Sequence, residues 1–537
     1  MGKAIAAVLL GLMSSAYGQL SPEFSGTQEI ARFDVAEFVI RVPQPAKNPF
    51  LDVQVTGSFT AKGKTVTVKG FADSQDGTLF RLRFCPSRAE NYIYSVLYKN
   101  DGVEYNFSGS LRCFEGGRSG PVIVNPSHRR HFIYTGSQKN FFHLGYTAYH
   151  LLDPSNSDDQ VDSLIQYCKE NGFNKIRFLL TGYARDDSVS TVNTEDEHGA
   201  NNPSEILQQK VKKYNYGAFP GQVNHLPAWT GQPHQYDFTR INVRYWQRVD
   251  RAVREMRNAG IVATCIFTIE KQGLARELGA LSRNELLLHR YAVSRLSAFD
   301  NVWWDLGNEH NETRDTVWGN RMGALVKDED PYDRCLSAHA YDTFLYPKSR
   351  WADFIITQQY GTARELHNWV LKYLSVAKPY INEEYGYEGN ANIVGHSQNS
   401  EMTLRAHWAI AMAGGYATYG DYSDYVSYFY MAEPGPGKAA RQLKHLRTFF
   451  EALPFDRLKP MDNVTNAGFC LAIPKKYYVV FVPGGGSVQL SLPVPGMTVR
   501  WYNPRTGEQL PARKLRMNEN VITAPSKEDW TFLITEK

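Results

Sequence analysis

The feature that most constrains the fold is a change of hydrophobic period along the middle of the chain. Between Phe141 and Tyr419, short apolar runs alternate with segments whose apolar residues recur at helical spacing. One helical segment, for example, carries apolar residues at 161, 164, 165 and 168, and the apolar run 175–180 follows it. Strands that alternate with helices form parallel sheets, because each helix carries the chain back across the sheet. The pattern therefore predicts an α/β domain.

Eight strand candidates lie in this region. They are Phe141–Gly145, Lys175–Leu180, Ile261–Phe267, Val302–Leu306, Cys335–Ala338, Phe354–Thr357, Tyr380–Asn382 and Tyr416–Tyr419. Eight strands interleaved with helices favour a closed (β/α)8 TIM barrel over an open sheet.

The segments on either side of this region have a different pattern. From about Ile30 to Phe114, and again from about Phe455, short alternating strands are separated by Gly, Pro, Asn and Asp. Short strands at this spacing, with little helix between them, indicate β-sandwiches. We therefore expect an α/β TIM barrel flanked by an N-terminal and a C-terminal β-sandwich.

The first residues are typical of a secretory signal peptide. Lys3 precedes an apolar run from Ala4 to Met13, and small residues stand at Ala16 and Gly18. Later segments fall short of the roughly 20 uncharged apolar residues of a membrane helix, so no membrane partner is expected. The predicted organisation is a signal peptide at 1–18, a β-sandwich at 19–120, the barrel at 121–454 and a β-sandwich at 455–537. Such a protein would be secreted to the periplasm or the medium.

Charge and cysteine content exclude several classes of function. The net charge is only +4 and basic residues are scattered, which argues against a nucleic-acid partner. Neither the six cysteines nor the histidines show zinc spacing, and no nucleotide-binding fingerprint is present, so no metal and no cofactor are expected. Cys85 and Cys113 could pair in an oxidising compartment. Cys168 and Cys265 are expected to be buried thiols.

Polar residues that follow the strands are the candidates for chemistry, because active sites of parallel barrels lie at the carboxyl ends of the strands. Strand 302–306 leads to Asn308 and Glu309, and strand 380–382 leads to Glu383 and Glu384. Two carboxyl groups on facing strands suit cleavage of a glycosidic bond, in which one protonates the leaving oxygen and the other meets the developing positive charge. Asn308 could hold a substrate hydroxyl.

Asn-Glu after strand four and Glu-Tyr-Gly after strand seven resemble the clan of retaining glycoside hydrolases that includes the cellulase and mannanase families. The resemblance implies that Glu309 is the acid/base and that Glu384, rather than Glu383, is the nucleophile. The chain departs from that pattern in two places. No histidine follows strand three, and strand eight carries Tyr416 and Tyr419 instead of tryptophan.

The same resemblance implies residues that support the two glutamates. Arg177 is similar to the second-strand arginine that steadies the nucleophile, His339-Ala-Tyr341 resembles a His-x-Tyr motif after strand five, and Tyr360 matches a strand-six tyrosine that contacts the nucleophile. Arg177 and Tyr360 are expected to favour the ionised form of Glu384. The full set of predicted substrate-binding residues is Asn308, Arg177, His339, Tyr341, Tyr360, Gln359, Tyr146, Trp229 and Tyr419.

The whole chain resembles bacterial proteins that join an N-terminal domain of unknown function to an apiosidase-like barrel and a small C-terminal sandwich. The matching stretches begin at Phe141, Asp237, Gly414 and Trp501. Such barrels often carry aspartate at the position of Tyr146. The long loop from Thr181 to Asp237 is expected to wall the sugar groove with Trp229, because long ordered loops are usually functional.

The leading hypothesis is a retaining glycosidase that acts on plant or algal wall polysaccharide or its oligosaccharides. A non-catalytic carbohydrate-binding surface protein on a barrel scaffold is the alternative from another class. An inverting enzyme on the same scaffold is a third possibility, distinguished by a larger separation of the two carboxyl groups.

Overall fold

The computed structural model describes most of the chain. The described ranges are 21–149, 151–152, 156–181, 228–232, 235–269, 274–341, 343–388, 397–421, 437–491, 496–516 and 519–536. The predicted signal peptide at 1–18 and most of the predicted groove loop at 181–237 lie outside these ranges.

The centre of the molecule is a parallel barrel, which confirms the predicted fold class. Its eight strands, in chain order, are Gly145–Thr147, Lys175–Leu179, Val262–Ile266, Val302–Asp305, Leu336–Ser337, Ile355–Thr357, Tyr380–Asn382 and Tyr416–Asp421. They are hydrogen-bonded in the order five, four, three, two, one, eight, seven, six, and each neighbouring pair is parallel.

Strands five and six lie at the two ends of this order, and three hydrogen bonds join strand five to the residues just before strand six. The backbone N–H of Leu336 donates to Asp353 Oδ2 at 2.8 Å. The backbone N–H of Asp353 donates to the carbonyl of Leu336 at 2.8 Å. The hydroxyl of Ser337 donates to the carbonyl of Phe354 at 2.7 Å. The sheet is therefore nearly closed, and side chains that point inward from all eight strands share one interior.

The first barrel strand begins later than predicted. Asn140–Phe141 pairs in an antiparallel manner with Phe132–Tyr134, which also pairs with Val122–Val124. The ring of Phe132 lies 4.8 Å from that of Trp303 and 5.7 Å from that of Tyr416. Phe141 therefore belongs to a small sheet whose aromatic side chains fill the amino-terminal end of the barrel, and the parallel ladder starts at Gly145.

Amphipathic helices surround the barrel. Those of the described ranges are Asp158–Glu170, Val243–Asn258, Leu274–Leu278, Arg283–Leu296, Thr316–Glu329, Ala363–Lys372, Ser400–Ala411 and Lys438–Glu451. The first begins at a capping box, in which Ser157 and Gln160 each bond the other's backbone N–H, and it buries the apolar residues that predicted it. Among the described residues, no helix has the length and apolar content that a membrane span requires.

Two β-sheets form the N-terminal region. One contains Glu23–Gly26, Ala36–Arg41, Leu79–Phe84 and Phe71–Ala72, and the other contains Glu29–Ala31, Val103–Phe114, Asn91–Asn100, Val53–Ala61 and Lys64–Lys69. Phe59 of the second sheet stacks on Phe84 of the first, with ring centroids 4.0 Å apart. The two sheets thus share one aromatic core.

The C-terminal region is also β-rich. Its main sheet contains Lys459–Pro460, Phe469–Ile473, Tyr477–Val482, Trp530–Thr535, Thr498–Tyr502 and Arg513–Lys514, and a separate pair joins Ser487–Gln489 to Val521–Thr523. Two further short pairs belong to the barrel segment: Trp229–Gln232 with Gln235–Ile241, and Tyr387–Glu388 with Ser397–Gln398. The domain boundaries at 120 and 454 stay predictions.

Cys85 and Cys113 do not form a disulfide in this structure. Both are free, buried thiols. Burial raises the pKa of each thiol to about 11, so both are protonated near neutral pH. Cys168 and Cys265 are buried free thiols, as predicted.

A buried cluster of charges fastens the N-terminal region to the barrel. The guanidinium of Arg83, in strand Leu79–Phe84, donates two bonds of 2.9 and 2.8 Å to Asp250 on a barrel helix. Arg295 of the adjacent helix donates to the same carboxylate at 2.7 Å and to Asp73 at 2.8 Å. All four side chains are buried, so each charge depends on its partners for stabilisation.

We expect Asp250→Ala to lower the free energy of unfolding by about 3–5 kcal/mol, because it leaves two buried guanidinium groups without their shared carboxylate. Asp162→Ala is the matched control. Asp162 pairs with Arg251 on the protein surface, where such a pair contributes about 0–1 kcal/mol. Urea unfolding followed by tryptophan fluorescence measures both variants, and equal losses would contradict the importance of the buried cluster.

Candidate active site

The interior of the barrel contains a buried ion pair, on the amino-terminal side of the two glutamates described next. The ammonium group of Lys175 contacts the carboxylate of Glu383, and the hydroxyl of Thr418 donates to the same carboxylate. Burial opposes ionisation of Glu383, but the charges of Lys175 and Arg177 lower its pKa to about 2. Glu383 is thus a permanently ionised structural carboxylate inside the barrel.

Glu384 follows the seventh strand and accepts bonds from several donors. The hydroxyl of Tyr387 donates to its Oε2 at 2.8 Å, and the hydroxyl of Tyr360 donates to the same oxygen at 3.4 Å. The hydroxyl of Tyr149 donates to Oε1, which also lies 3.4 Å from Nη1 of Arg177. Three hydroxyl groups and a guanidinium therefore hold the orientation of this carboxyl group.

The pKa of Glu384 is raised above its ordinary value. Burial is the largest cause and the negative charge of Glu309 is the second, while Arg177 and the hydroxyls of Tyr149 and Tyr387 oppose them. From the sequence, Arg177 and Tyr360 were expected to favour the ionised form of Glu384, and both contact its carboxyl group. Their effect is smaller than that of burial together with the second carboxyl group, so the net direction is upward.

Glu309 follows the fourth strand in an unusual backbone conformation. Its φ is 52° and its ψ is 32°, in the left-handed region that few residues other than glycine adopt. The backbone on either side is fixed, because Asn308 N–H donates to Thr268 O at 2.9 Å and His310 N–H donates to His339 O at 3.1 Å. The strained residue is held at the mouth of the barrel with its side chain only 7% exposed.

Arg177 connects the groups around the two glutamates. Its fully buried guanidinium donates to Tyr149 OH at 2.8 Å, and it also donates to Asn308 Oδ1 and to His339 Nδ1. The carboxylate of Asp305 lies 3.4 Å from Nη2 of Arg177, so Arg177 contacts a second carboxylate in addition to that of Glu384. Burial raises the pKa of Asp305 to about 6, although the charge of Arg177 opposes this shift.

The structure brings most of the predicted site residues together. Glu309, Glu384, Asn308, Arg177, His339 and Tyr360 are linked by the bonds described above or by those of Gln358. Tyr341 lies at the rim, where its backbone N–H donates to Asn311 Oδ1 at 2.7 Å.

Gln358, the neighbour of the predicted residue Gln359, contacts the site through its side chain. The side-chain Nε2 of Gln358 donates to Glu309 Oε1 at 2.9 Å and to Tyr360 OH at 3.0 Å. Gln359 is held through its backbone, which exchanges bonds with the side chain of Asn382. The predicted contact of Gln359 with substrate stays a prediction.

The structure does not place Tyr146 and Tyr419 with the other predicted residues around the two glutamates. Thr147 is the register partner of Arg177, whose side chain points into the barrel, so the neighbouring residue Tyr146 points to the helical side of the sheet. There its ring packs 5.2 Å from that of Phe173. Tyr419 is the register partner of Tyr146, and it packs 5.6 Å from the same phenylalanine. Both rings belong to the layer between strands and helices.

Trp229 does not line an open groove as predicted. Its side chain is 0% exposed, and its ring packs 5.1 Å from that of Phe238 within the main hydrophobic core. A groove wall needs an exposed ring face, whereas this indole contributes to packing. Most of the loop that precedes it lies outside the described residues.

Two residues in contact with Glu384 were not found from the sequence. Tyr149 lies just beyond the first strand, and Tyr387 lies three residues after Glu384. The rule that located Glu309 could have identified Tyr149, because it also follows a strand end. Tyr387 has no comparable signal, since its contact depends on how the chain turns after the seventh strand.

The side chains of the site are suited to acid–base and nucleophilic chemistry. It offers two carboxyl groups, a cation behind one of them and several hydroxyl donors. In the described ranges, no group of three or more His, Cys, Asp or Glu side chains is arranged to hold a metal ion.

Comparison with known families gives two matches. The profile described as "Apiosidase-like, catalytic domain" matches residues 127–456, which include every barrel strand. The profile "Domain of unknown function (DUF5060)" matches residues 29–99 in the N-terminal region. No curated protein matches the chain.

Solved structures share the fold. A candidate glycoside hydrolase from Bacteroides vulgatus is 20% identical with a TM-score of 0.75, and the match covers 95% of this chain and 100% of that one. A family 5 glycoside hydrolase from the same organism is 16% identical with a TM-score of 0.58, and the match covers 78% of this chain and 93% of that one. At these identities the similarity establishes the architecture.

We expect Tyr387→Phe to move the acid limb of the pH profile of kcat/KM to higher pH. Loss of the hydroxyl donor makes the ionised carboxylate less stable, so the pKa of Glu384 rises further and activity is lost at a higher pH as the medium is acidified. Tyr92→Phe, in the N-terminal region, is the control and should leave the limb in place. An unchanged limb in Tyr387→Phe would show that Glu384 does not control it.

Proposed function

The chain belongs to the apiosidase-like family and is a glycoside hydrolase, and from that premise we propose that it is a retaining enzyme that uses Glu309 and Glu384 in a double displacement. The observation that carries the proposal is a continuous chain of hydrogen bonds. Gln358 donates to Glu309 and to Tyr360, and Tyr360 donates to Glu384. This series of hydrogen bonds supports a single buried site that contains both carboxyl groups.

In the first step, a carboxylate oxygen of Glu384 forms a bond to the anomeric carbon. The glycosidic C–O bond breaks, its electron pair stays on the leaving oxygen, and that oxygen takes the proton of Glu309. The hydroxyls of Tyr149, Tyr360 and Tyr387 orient Glu384, and Arg177 stabilises its negative charge before attack.

In the second step, Glu309 takes a proton from water, and the water oxygen attacks the anomeric carbon. The ester bond to Glu384 breaks and returns its electron pair to the carboxylate. The proposed mechanism requires Glu384 to be ionised and Glu309 to carry the proton before the first step. Arg177 and the hydroxyls of Tyr149 and Tyr387 stabilise the ionised form of Glu384 against the effect of burial.

The proposed substrate is a plant or algal wall polysaccharide or an oligosaccharide derived from it, and the proposed location is outside the cytoplasm. The leader-like pattern at 1–18 supports export. A panel of wall polysaccharides, assayed for new reducing ends and products, tests the substrate class. Binding without any release of reducing ends would favour the non-catalytic carbohydrate-binding alternative.

We expect Glu384→Ala to lose at least about a thousandfold of its activity on all substrates, because no nucleophile remains. Glu309→Ala should lose about 100- to 10,000-fold on substrates with poor leaving groups and far less on activated aryl glycosides, which need no protonation. Steady-state kinetics on both substrate types measures the difference. Glu401→Ala, on an exposed helix position, is the control and should retain activity.

Azide distinguishes the two roles and the stereochemistry. With Glu384→Ala, azide replaces the nucleophile and should give a glycosyl azide of inverted configuration. With Glu309→Ala, azide attacks the glycosyl-enzyme and should give the retained configuration. An inverted sugar product from the unmodified enzyme would reject the retaining mechanism, and an active Glu384→Ala beside an inactive, folded Glu383→Ala would reject the assignment.

A further inference from the structure

The side-chain amide of Gln358 makes three hydrogen bonds, with Glu309, Tyr360 and His339. One N–H donates to Glu309 Oε1 at 2.9 Å and the other donates to Tyr360 OH at 3.0 Å. The amide oxygen lies 2.9 Å from His339 Nε2. The side chain is 4% exposed, so water offers little competition for these bonds.

The orientation of the amide follows from Arg177 through His339. The guanidinium of Arg177 can only donate, so the Nδ1 of His339 that it contacts must accept, and the ring hydrogen is on Nε2. That N–H requires an acceptor, which is the oxygen of Gln358. Burial, then the charge of Arg177, hold the pKa of His339 well below its usual value, and the imidazole therefore stays neutral.

With its oxygen fixed on His339, Gln358 must present both N–H groups to Glu309 and Tyr360. An N–H that donates to Oε1 of Glu309 favours the acidic proton on Oε2. The second N–H occupies a lone pair of the Tyr360 hydroxyl, whose own hydrogen then points to Glu384.

We propose that Gln358 is a positioning residue that sets Glu309 for proton transfer and, through Tyr360, orients the nucleophile Glu384. This inference rests on the proposed function. The amide stabilises the ionised form of Glu309 that must receive a proton from water in the second step. The ionisable groups in contact with the Gln358 amide are Glu309, Tyr360 and His339. Glu384, Tyr149 and Arg177 are the ionisable groups in the next layer.

Gln358→Met tests the proposal, because methionine keeps the length of the side chain and removes its hydrogen bonds. We expect kcat/KM on substrates with poor leaving groups to fall about 10- to 100-fold, and to fall much less on activated aryl glycosides. The alkaline limb of the profile, which reports loss of the proton of Glu309, should move to higher pH, because the ionised carboxylate has lost a donor. Gln166→Met, on an exposed helix position, should match the unmodified enzyme.

A purely structural role would lower activity equally on both substrate types without moving the alkaline limb, and that result would overturn the proposal. If Gln358→Met does not fold, Gln358→Glu keeps an acceptor for His339 and replaces the donor, and the same substrate dependence and the same direction of the limb are expected. His339→Phe should reproduce the effect of Gln358→Met, and the double variant should lose little more than either single one. Additive losses would overturn the orienting role of His339.

The azide products of Glu309→Ala and Glu384→Ala separate this inference from the proposed function. If those products form with the expected configurations and Gln358→Met keeps the normal leaving-group dependence and alkaline limb, the role of Gln358 alone is wrong. If the azide products do not form, the assignment of the glutamates is wrong, and the role of Gln358 falls with it.

Discussion

The buried guanidinium of Arg177 is the group on which the arrangement of the site depends. A cation that is fully removed from water must be surrounded by acceptors and negative charge, and here these come from Asp305, Asn308, His339 and Glu384. The guanidinium is planar and rigid, so its acceptors can occupy only a few positions. A single side chain on the second strand thereby fixes the orientation of groups that follow strands four, five and seven.

The neutral side chains of His339 and Gln358 connect Arg177 to Glu309, which Arg177 does not contact in this network. Arg177 fixes which nitrogen of His339 donates, and that donor in turn fixes the orientation of the Gln358 amide. The barrel supplies the rigidity that such a network needs. Aromatic rings fill its amino-terminal end, the Lys175–Glu383 pair occupies the interior, and the charges around Asp250 fasten the N-terminal region to its helices. Strain at the backbone of Glu309 is tolerated because its neighbours are bonded on both sides.

The amino-acid sequence by itself determined the architecture and the centre of the site. Periodicity depends only on which residues are apolar, so alternating strand and helix patterns were sufficient for the barrel. The rule that barrel chemistry lies after the strands located Glu309 and Glu384, because strand ends can be read along the chain. Arg177, His339 and Tyr360 were indicated by the resemblance to the clan of retaining glycoside hydrolases.

The tertiary structure alone decided which neighbouring side chains face the site. Tyr146 and Tyr419 point to the helices because the register with Arg177 gives the inward direction to the residues beside them. Gln358, which the sequence did not single out, contacts Glu309, and Tyr387 reaches Glu384 through a turn after the seventh strand. A shift of one residue reverses the face of an extended segment, and that phase is set by pairing with distant strands, which a pattern of residue types along one chain does not contain.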